Sequence, residues 1–271
     1  MMLMLLVALA RAEPAAHPAD PLVERLLAVG LTDAAYTEAV RGALAAPDPE
    51  ARRRLDLEAG AVLWRGGSWR AAAAHFRAMG DATDVTLAQA WSLARAGDLA
   101  PATLTVATRP EPEARLLEGW LRLRQRDVTG ARATWERIPA DHALATRARA
   151  LLDAATSLEG VVQVSPTAAG ALSAVVPGAG QALVGRWGEA ASALVVNGAL
   201  VASAVELGRR ETWFGMGLVS FLGVGFYGGN IVSAAQGAKL ENRRAWSRAL
   251  LPIEGAHGVN VIIEDGAVVV R

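Results

Sequence analysis

The sequence predicts an all-α chain: a stack of short helices, then a transmembrane helical hairpin headed by a broken re-entrant segment, then a small C-terminal β-hairpin. Three observations predict it. Apolar residues recur at three-to-four spacing from Asp20 to Leu158, with Gly, Pro and Asp between the blocks. Long charge-free runs fill Thr167–Ala238. The first of those runs is interrupted by Pro177-Gly178-Ala179-Gly180-Gln181.

Composition bounds the rest. The 271 residues carry 27 Lys+Arg against 27 Asp+Glu, so the chain has no basic surplus for phosphate binding and a nucleic-acid partner is disfavoured. Lys239 is the single lysine, leaving nearly all positive charge to arginine. Without cysteine there is no disulfide, no thiolate metal site and no lipid-modified cysteine.

Met1–Ala10 is an apolar run too short to cross a bilayer, followed by Ala10-Arg11-Ala12 and the Pro-rich Glu13–Pro21. Residues 1–12 therefore read as a secretory signal, although no Lys or Arg precedes the apolar run. Residues 13–158 form a helical arm. Its expected helices are Pro21–Val29, Thr32–Ala45, Pro49–Trp64, Ser68–Met79, Asp84–Ala96, Pro101–Ala107, Glu113–Arg126, Thr129–Ile138 and His142–Ser157. Thr32, Asp48 and Ser68 are the expected caps.

A repeat runs through this arm. Leu63, Trp69, Ala72 and Phe76 match Leu93, Leu99, Ala102 and Val106 thirty residues on, and Val128, Ala131 and Trp135 supply the last three positions once more. Small Ala lets the second helix of a pair approach the first, and the bulky residue four later fills the space beside it. Gly60 and Gly119 take the close-approach position on the first helix. Gly60-x-x-Leu63, Ala72-x-x-x-Phe76, Ala102-x-x-x-Val106 and Ala131-x-x-x-Trp135 resemble a degenerate tetratricopeptide-type array. That resemblance, over roughly residues 50–140, implies an α-solenoid that binds peptide segments of a partner protein.

Residues 159–167, with Gly160 and Pro166, read as a linker. Residues 168–238 form the membrane module. Ala168–Val184 is uncharged but broken at Pro177, Gly178 and Gly180, so it enters and turns back instead of crossing. Ala190–Val205 and Thr212–Ala238 are long enough to span, with Trp187, Trp213, Lys239, Arg243 and Arg244 as interfacial anchors. Gly225, Gly229, Ser233 and Gly237 recur every four residues and offer a packing groove, which Gly198 and its small neighbours can meet. Asn197 and Asn230 each need a hydrogen-bond partner in hydrocarbon, and pairing with one another would supply it. Gln181 is expected to fold its amide onto carbonyls freed before Pro177.

Ser173-Ala174-Val175-Val176-Pro177-Gly178-Ala179-Gly180-Gln181, with Gly185 and Arg186, is similar to the Pro-Gly-x-Gly-Gln motif of small bacterial two-helix membrane modules. Phe226-Tyr227-Gly228-Gly229-Asn230-Ile231, with Ala235 and Asn242, resembles the second-helix signature of the same group. Ala182-Leu183 stands where that group often carries an aromatic pair. The resemblance implies an envelope protein in which the module is joined to a helical-repeat arm.

Residues 239–271 form a tail: an amphipathic helix over Glu241–Leu251, then strands Val259–Ile263 and Ala267–Val270 around Asp265-Gly266. Two strands alone are marginal, so the hairpin must dock or pair with something. No chemistry emerges. His17, His75, His142 and His257 stand alone, and neither a Gly-x-x-x-x-Gly-Lys loop nor a Gly-x-Ser-x-Gly elbow occurs. The expectation is a non-enzyme without catalytic residues, cofactor or metal. It would be an adaptor of the bacterial inner membrane whose periplasmic arm binds an envelope protein, with lipid around its hairpin and a glycine face open to homo-oligomers. The alternative is an oligomeric membrane assembly with a transport or lipid-handling role, regulated by the arm.

Overall fold

The computed structural model describes residues 20–264 and 266–271; the expected signal segment lies outside the described residues. The chain is all-α apart from one two-stranded sheet, and it divides into two compact units. One comprises the chain up to Ala155 together with Ala256–Arg271, the other Thr156–Gly255.

In the first unit the helices are α1 (Pro21–Ala28), α2 (Thr32–Leu44), α3 (Pro49–Arg65), α4 (Trp69–Ala78), α5 (Thr83–Arg95), α6 (Leu99–Ala107), α7 (Pro112–Arg124) and α8 (Val128–Trp135), with α9 (Ala145–Glu159) running out of it. Asp48 caps α3 by accepting from the Ala51 amide at 2.8 Å. Thr32 does not cap α2. It is the first helical residue, and its side chain fills the space where a Cβ on Gly66 would stand.

The first eight helices form hairpins through one turn used four times. A left-handed residue at Gly30, Gly67, Gly97 or Arg126 ends the first helix. The next amide then bonds back five residues: Leu31 to Leu26, Ser68 to Leu63 and Asp98 to Leu93 at 2.9 Å, and Asp127 to Arg122 at 3.0 Å. This is the Schellman closure, in which a left-handed residue lets two amides satisfy the helix's last carbonyls.

Packing inside three of these hairpins follows the repeat. Leu63 is buried, as are the second-helix residues Ala72, Ala102 and Ala131. Phe76 lies over Gly60 and Trp135 over Gly119, and a Cβ on either glycine would overlap the ring. The middle hairpin solves the same problem with smaller pieces: Ala90 takes the glycine position and Val106 the aromatic one, both fully buried. The larger first-helix residue is matched by a smaller partner opposite, as close packing requires.

The C-terminal strands β1 (Val261–Glu264) and β2 (Ala267–Val270) pair antiparallel, Val261 opposite Val270 and Glu264 opposite Ala267. Gly266 turns between them at φ 71°. The hairpin docks within the first unit. Ile263 and Val268 pack on the core of Leu57, Leu63, Ala72, Phe76, Val85 and Ala88. Arg147 Nη2 donates to the Gly258 carbonyl at 2.8 Å, and Gly266 lies against the Arg54 side chain.

The second unit contains α10 (Pro166–Val175), α11 (Ala179–Leu183), α12 (Trp187–Arg209) and α13 (Trp213–His257). Residues 161–165 are in neither helix nor strand, and Asn242 holds them by accepting from the Val164 amide at 2.9 Å and donating to its carbonyl at 2.8 Å. The tail helix expected as a separate element is instead the continuation of α13. No glycine or proline punctuates Ala238–Leu251. Exposed Pro252 forfeits only its own amide bond, near the helix end.

Candidate functional site

The polar residues of the second unit converge on the break between α10 and α11. Proline has no amide, so the carbonyl four residues before Pro177, that of Ser173, loses its helical partner. Leaving the helix at Val176 frees the Ala174 carbonyl as well. Both are taken by α13. Asn230 Nδ2 donates to the Ser173 carbonyl at 3.4 Å, and the Tyr227 hydroxyl donates to that of Ala174.

Gln181 was expected on those carbonyls. It bridges instead: its Oε1 accepts from Ser173 Oγ at 2.8 Å, while Nε2 donates to Asn230 Oδ1 at 2.7 Å and to the Asn230 carbonyl at 3.1 Å. Ser173 Oγ also accepts from the Gly180 amide at 2.9 Å. Ser173, Gln181 and Asn230 are all buried, and each amide group in the network is paired.

The glycines let the backbone reach this arrangement. Gly178 has φ 94°, and a Cβ there would overlap the Ala190 carbonyl of α12. A Cβ on Gly180 would overlap the Ala169 carbonyl of α10. Gly170 of α10 lies against α13, where a Cβ would stand 3.6 Å from the Ile231 carbonyl and 3.7 Å from Ala235 Cβ. Ala169 is buried with Ala234 and Ala238. Gly185 (φ 79°) makes the same Schellman turn as the arm hairpins, with the Arg186 amide bonded to the Gln181 carbonyl at 2.9 Å.

The packing row on α13 behaves differently from its expectation. Gly198, Gly225 and Gly229 have nothing within 4 Å of a Cβ, and so make no close helix contact inside the chain. Gly237 is the closely packed member, lying beneath the Arg186 guanidinium, which pairs with Glu189. Helices α12 and α13 approach near their connection, where a Cβ on Gly208 would stand 3.0 Å from Met216 Sδ and one on Gly215 3.5 Å from Leu207. Between there and α11 they leave an open groove of about 790 Å³, with Gly225, Gly229 and Ser233 along one side. The α10–α11 wedge already holds the helices apart at that end. Asn197 and Asn230 both line the groove without pairing: Asn197 Nδ2 donates to the carbonyl of Ala193 in its own helix at 2.8 Å.

Sequence reasoning missed Ser173 as a site residue, although a lone hydroxyl eight residues before Gln181 in an apolar run was the available signal. It also missed the Asn242–Val164 clasp, which no local pattern announces.

Helices α12 and α13 are long and apolar enough to cross a membrane. Their apolar residues stand uncovered: Val195 is 68% exposed, Phe221 76% and Phe214 87%. Isolated exposed apolar residues are ordinary, but a continuous sleeve of them is not. No family model, curated protein or solved structure matches the chain.

Proposed function

We propose that this protein is a membrane-anchored helical-repeat adaptor of the bacterial cell envelope. Helices α12 and α13 cross the inner membrane, α10–α11 enters and turns back, and the arm stands in the periplasm as an α-solenoid of tetratricopeptide type. The observation that supports this most directly is the docking of the C-terminal hairpin on the arm's own core. Both ends of the membrane module therefore leave on one side, so the number of crossings is even. At ten residues α10 is roughly 15 Å long, half of a hydrocarbon core of about 30 Å, whereas 23-residue α12 reaches roughly 34 Å. The freed carbonyls at the break are satisfied by protein, which is what irregular backbone at membrane depth requires.

The partner surface belongs to the arm. Four similar turns recur along the arm, which supports reading it as a repeat whose face takes a protein ligand. Exposed Arg95 stands 4.9 Å from the ring of half-buried Trp69 and 5.9 Å from that of buried Trp91, a cation over aromatic rings that a partner could meet.

The test is cross-linking of the detergent-extracted full chain, followed by identification of what co-purifies. An adaptor yields a second protein linked to residues 20–155, and Trp69→Ala with Arg95→Ala weakens that link. The open groove beside Gly225 and Gly229 favours a second reading, an oligomeric membrane assembly with a transport or lipid-handling role. A homo-oligomer with no second protein would support that reading and count against the adaptor.

A further inference from the structure

The groove between α12 and α13 is mainly apolar, with Asn197 and Asn230 on its walls, and cationic beyond one end. Val196, Phe221, Leu222 and Phe226 wall it, and the open glycines 225 and 229 widen it. Its volume of about 790 Å³ lies in the range of roughly 300–1,000 Å³ seen for small-ligand sites. Gly188, Glu189 and Ser233 mark one end. Just beyond them Arg186 lies on Gly237, which puts the start of α12 level with the residues before Lys239. Glu189 is neutralised by Arg186. Lys239 and Arg243 are exposed and carry no ion pair among the described residues, and Trp187 at the start of α12 is 70% exposed.

We propose that this groove binds an anionic phospholipid, one acyl chain lying between α12 and α13 and the phosphate resting against Lys239 and Arg243. The inference rests on reading α12 and α13 as membrane spans. An open apolar cleft facing hydrocarbon is filled by whatever apolar body fits it. The polarity gradient selects an amphiphile with a negative head over a second, charge-free helix, which would leave the two cations without a counter-charge. Lys and Arg at an anionic surface each contribute favourably, and together they select the headgroup.

The test uses the full chain, extracted in detergent and exchanged into nanodiscs of dioleoylphosphatidylglycerol and dioleoylphosphatidylcholine. Lipid retained after re-extraction is read by mass spectrometry of the intact complex, with oligomeric state measured alongside. Wild type is expected to keep one phosphatidylglycerol per chain, preferred over phosphatidylcholine by roughly tenfold or more. Lys239→Gln with Arg243→Gln should bring the two lipids to parity. Gly225→Leu with Gly229→Leu, at positions where a side chain meets open space, should abolish retention of both. Equal retention of the two lipids by wild type would overturn the proposal, as would unchanged retention by the leucine variant. So would a lipid-free dimer that the leucine variant dissociates, since the occupant would then be a second copy. A chain that remains soluble without detergent would instead refute the membrane reading itself.

Discussion

Replacing Asn230 by Leu removes the group that closes the break. Three bonds depend on that side chain or its position: Nδ2 to the Ser173 carbonyl, Oδ1 from Gln181 Nε2, and the Gln181 bond to the Asn230 carbonyl. The last survives the change because it uses backbone. Leu therefore orphans the Ser173 carbonyl and leaves Gln181 with one acceptor instead of two. A buried polar group without a partner costs about 1–3 kcal/mol, and the distance of 3.4 Å marks the Ser173 bond as weak. Interhelical hydrogen bonds in membranes are worth less, about 0.6 kcal/mol on average. The orphan penalty decides here, because Ser173, whose carbonyl loses its partner, is fully buried. A loss of about 2–3 kcal/mol follows. Asn197→Leu is the control, since that amide only bonds back to its own helix and its removal should cost under about 0.5 kcal/mol. Thermal unfolding in detergent should separate them by roughly 4–10 °C, at about 2–4 °C per kcal/mol. Equal melting temperatures for the two variants would refute the network as a stabilising element.

Gly178→Ala should destabilise the second unit by about 2–4 kcal/mol, because it combines a left-handed backbone with overlap on the Ala190 carbonyl; the same melting experiment reads it. Gly229→Leu should leave the chain's own stability within about 0.5 kcal/mol of wild type, since open space surrounds that position; a large loss would mean that another helix covers it. In the arm, Gly60→Ala should cost about 1–3 kcal/mol by pushing into Phe76, and Phe76→Val in the same chain should recover part of it, as Ala90 with Val106 already fits. Additive losses in that double-mutant cycle would contradict the volume exchange.

The helical part of the fold was legible because it is written locally. Asp48 before Pro49 and the left-handed glycines 67 and 97 set helix ends over a few residues, and periodicity fixes the faces between them. Gly60 and Phe76 were readable as a pair because their spacing recurs with Gly119 and Trp135. What the pattern could not give is which surface meets which over long separations. The motif residues around Pro177 were visible as a set, yet their partners Tyr227 and Asn230 lie some fifty residues on, in α13. The glycine row misled for a related reason. Spacing alone makes a groove on α13, but α10 and α11 are wedged beside it, so the groove remains open within the chain. Where the tail hairpin docks was equally silent, because Ile263 and Val268 carry no address beyond being apolar and β-branched.

The central claim is that residues 166–183 turn back at the break while α12 and α13 cross. The native chain has no cysteine, so single cysteines report cleanly. Ala140, Thr212 and Ala256 are all exposed and lie before the module, in the connection between α12 and α13, and after it. With an impermeant thiol reagent on intact cells, cysteines at Ala140 and Ala256 should label alike, and one at Thr212 should stay protected until the membrane is opened. Labelling at Ala140 together with protection at Ala256 would mean three crossings, and would contradict both the re-entrant segment and the docking of the tail on the arm.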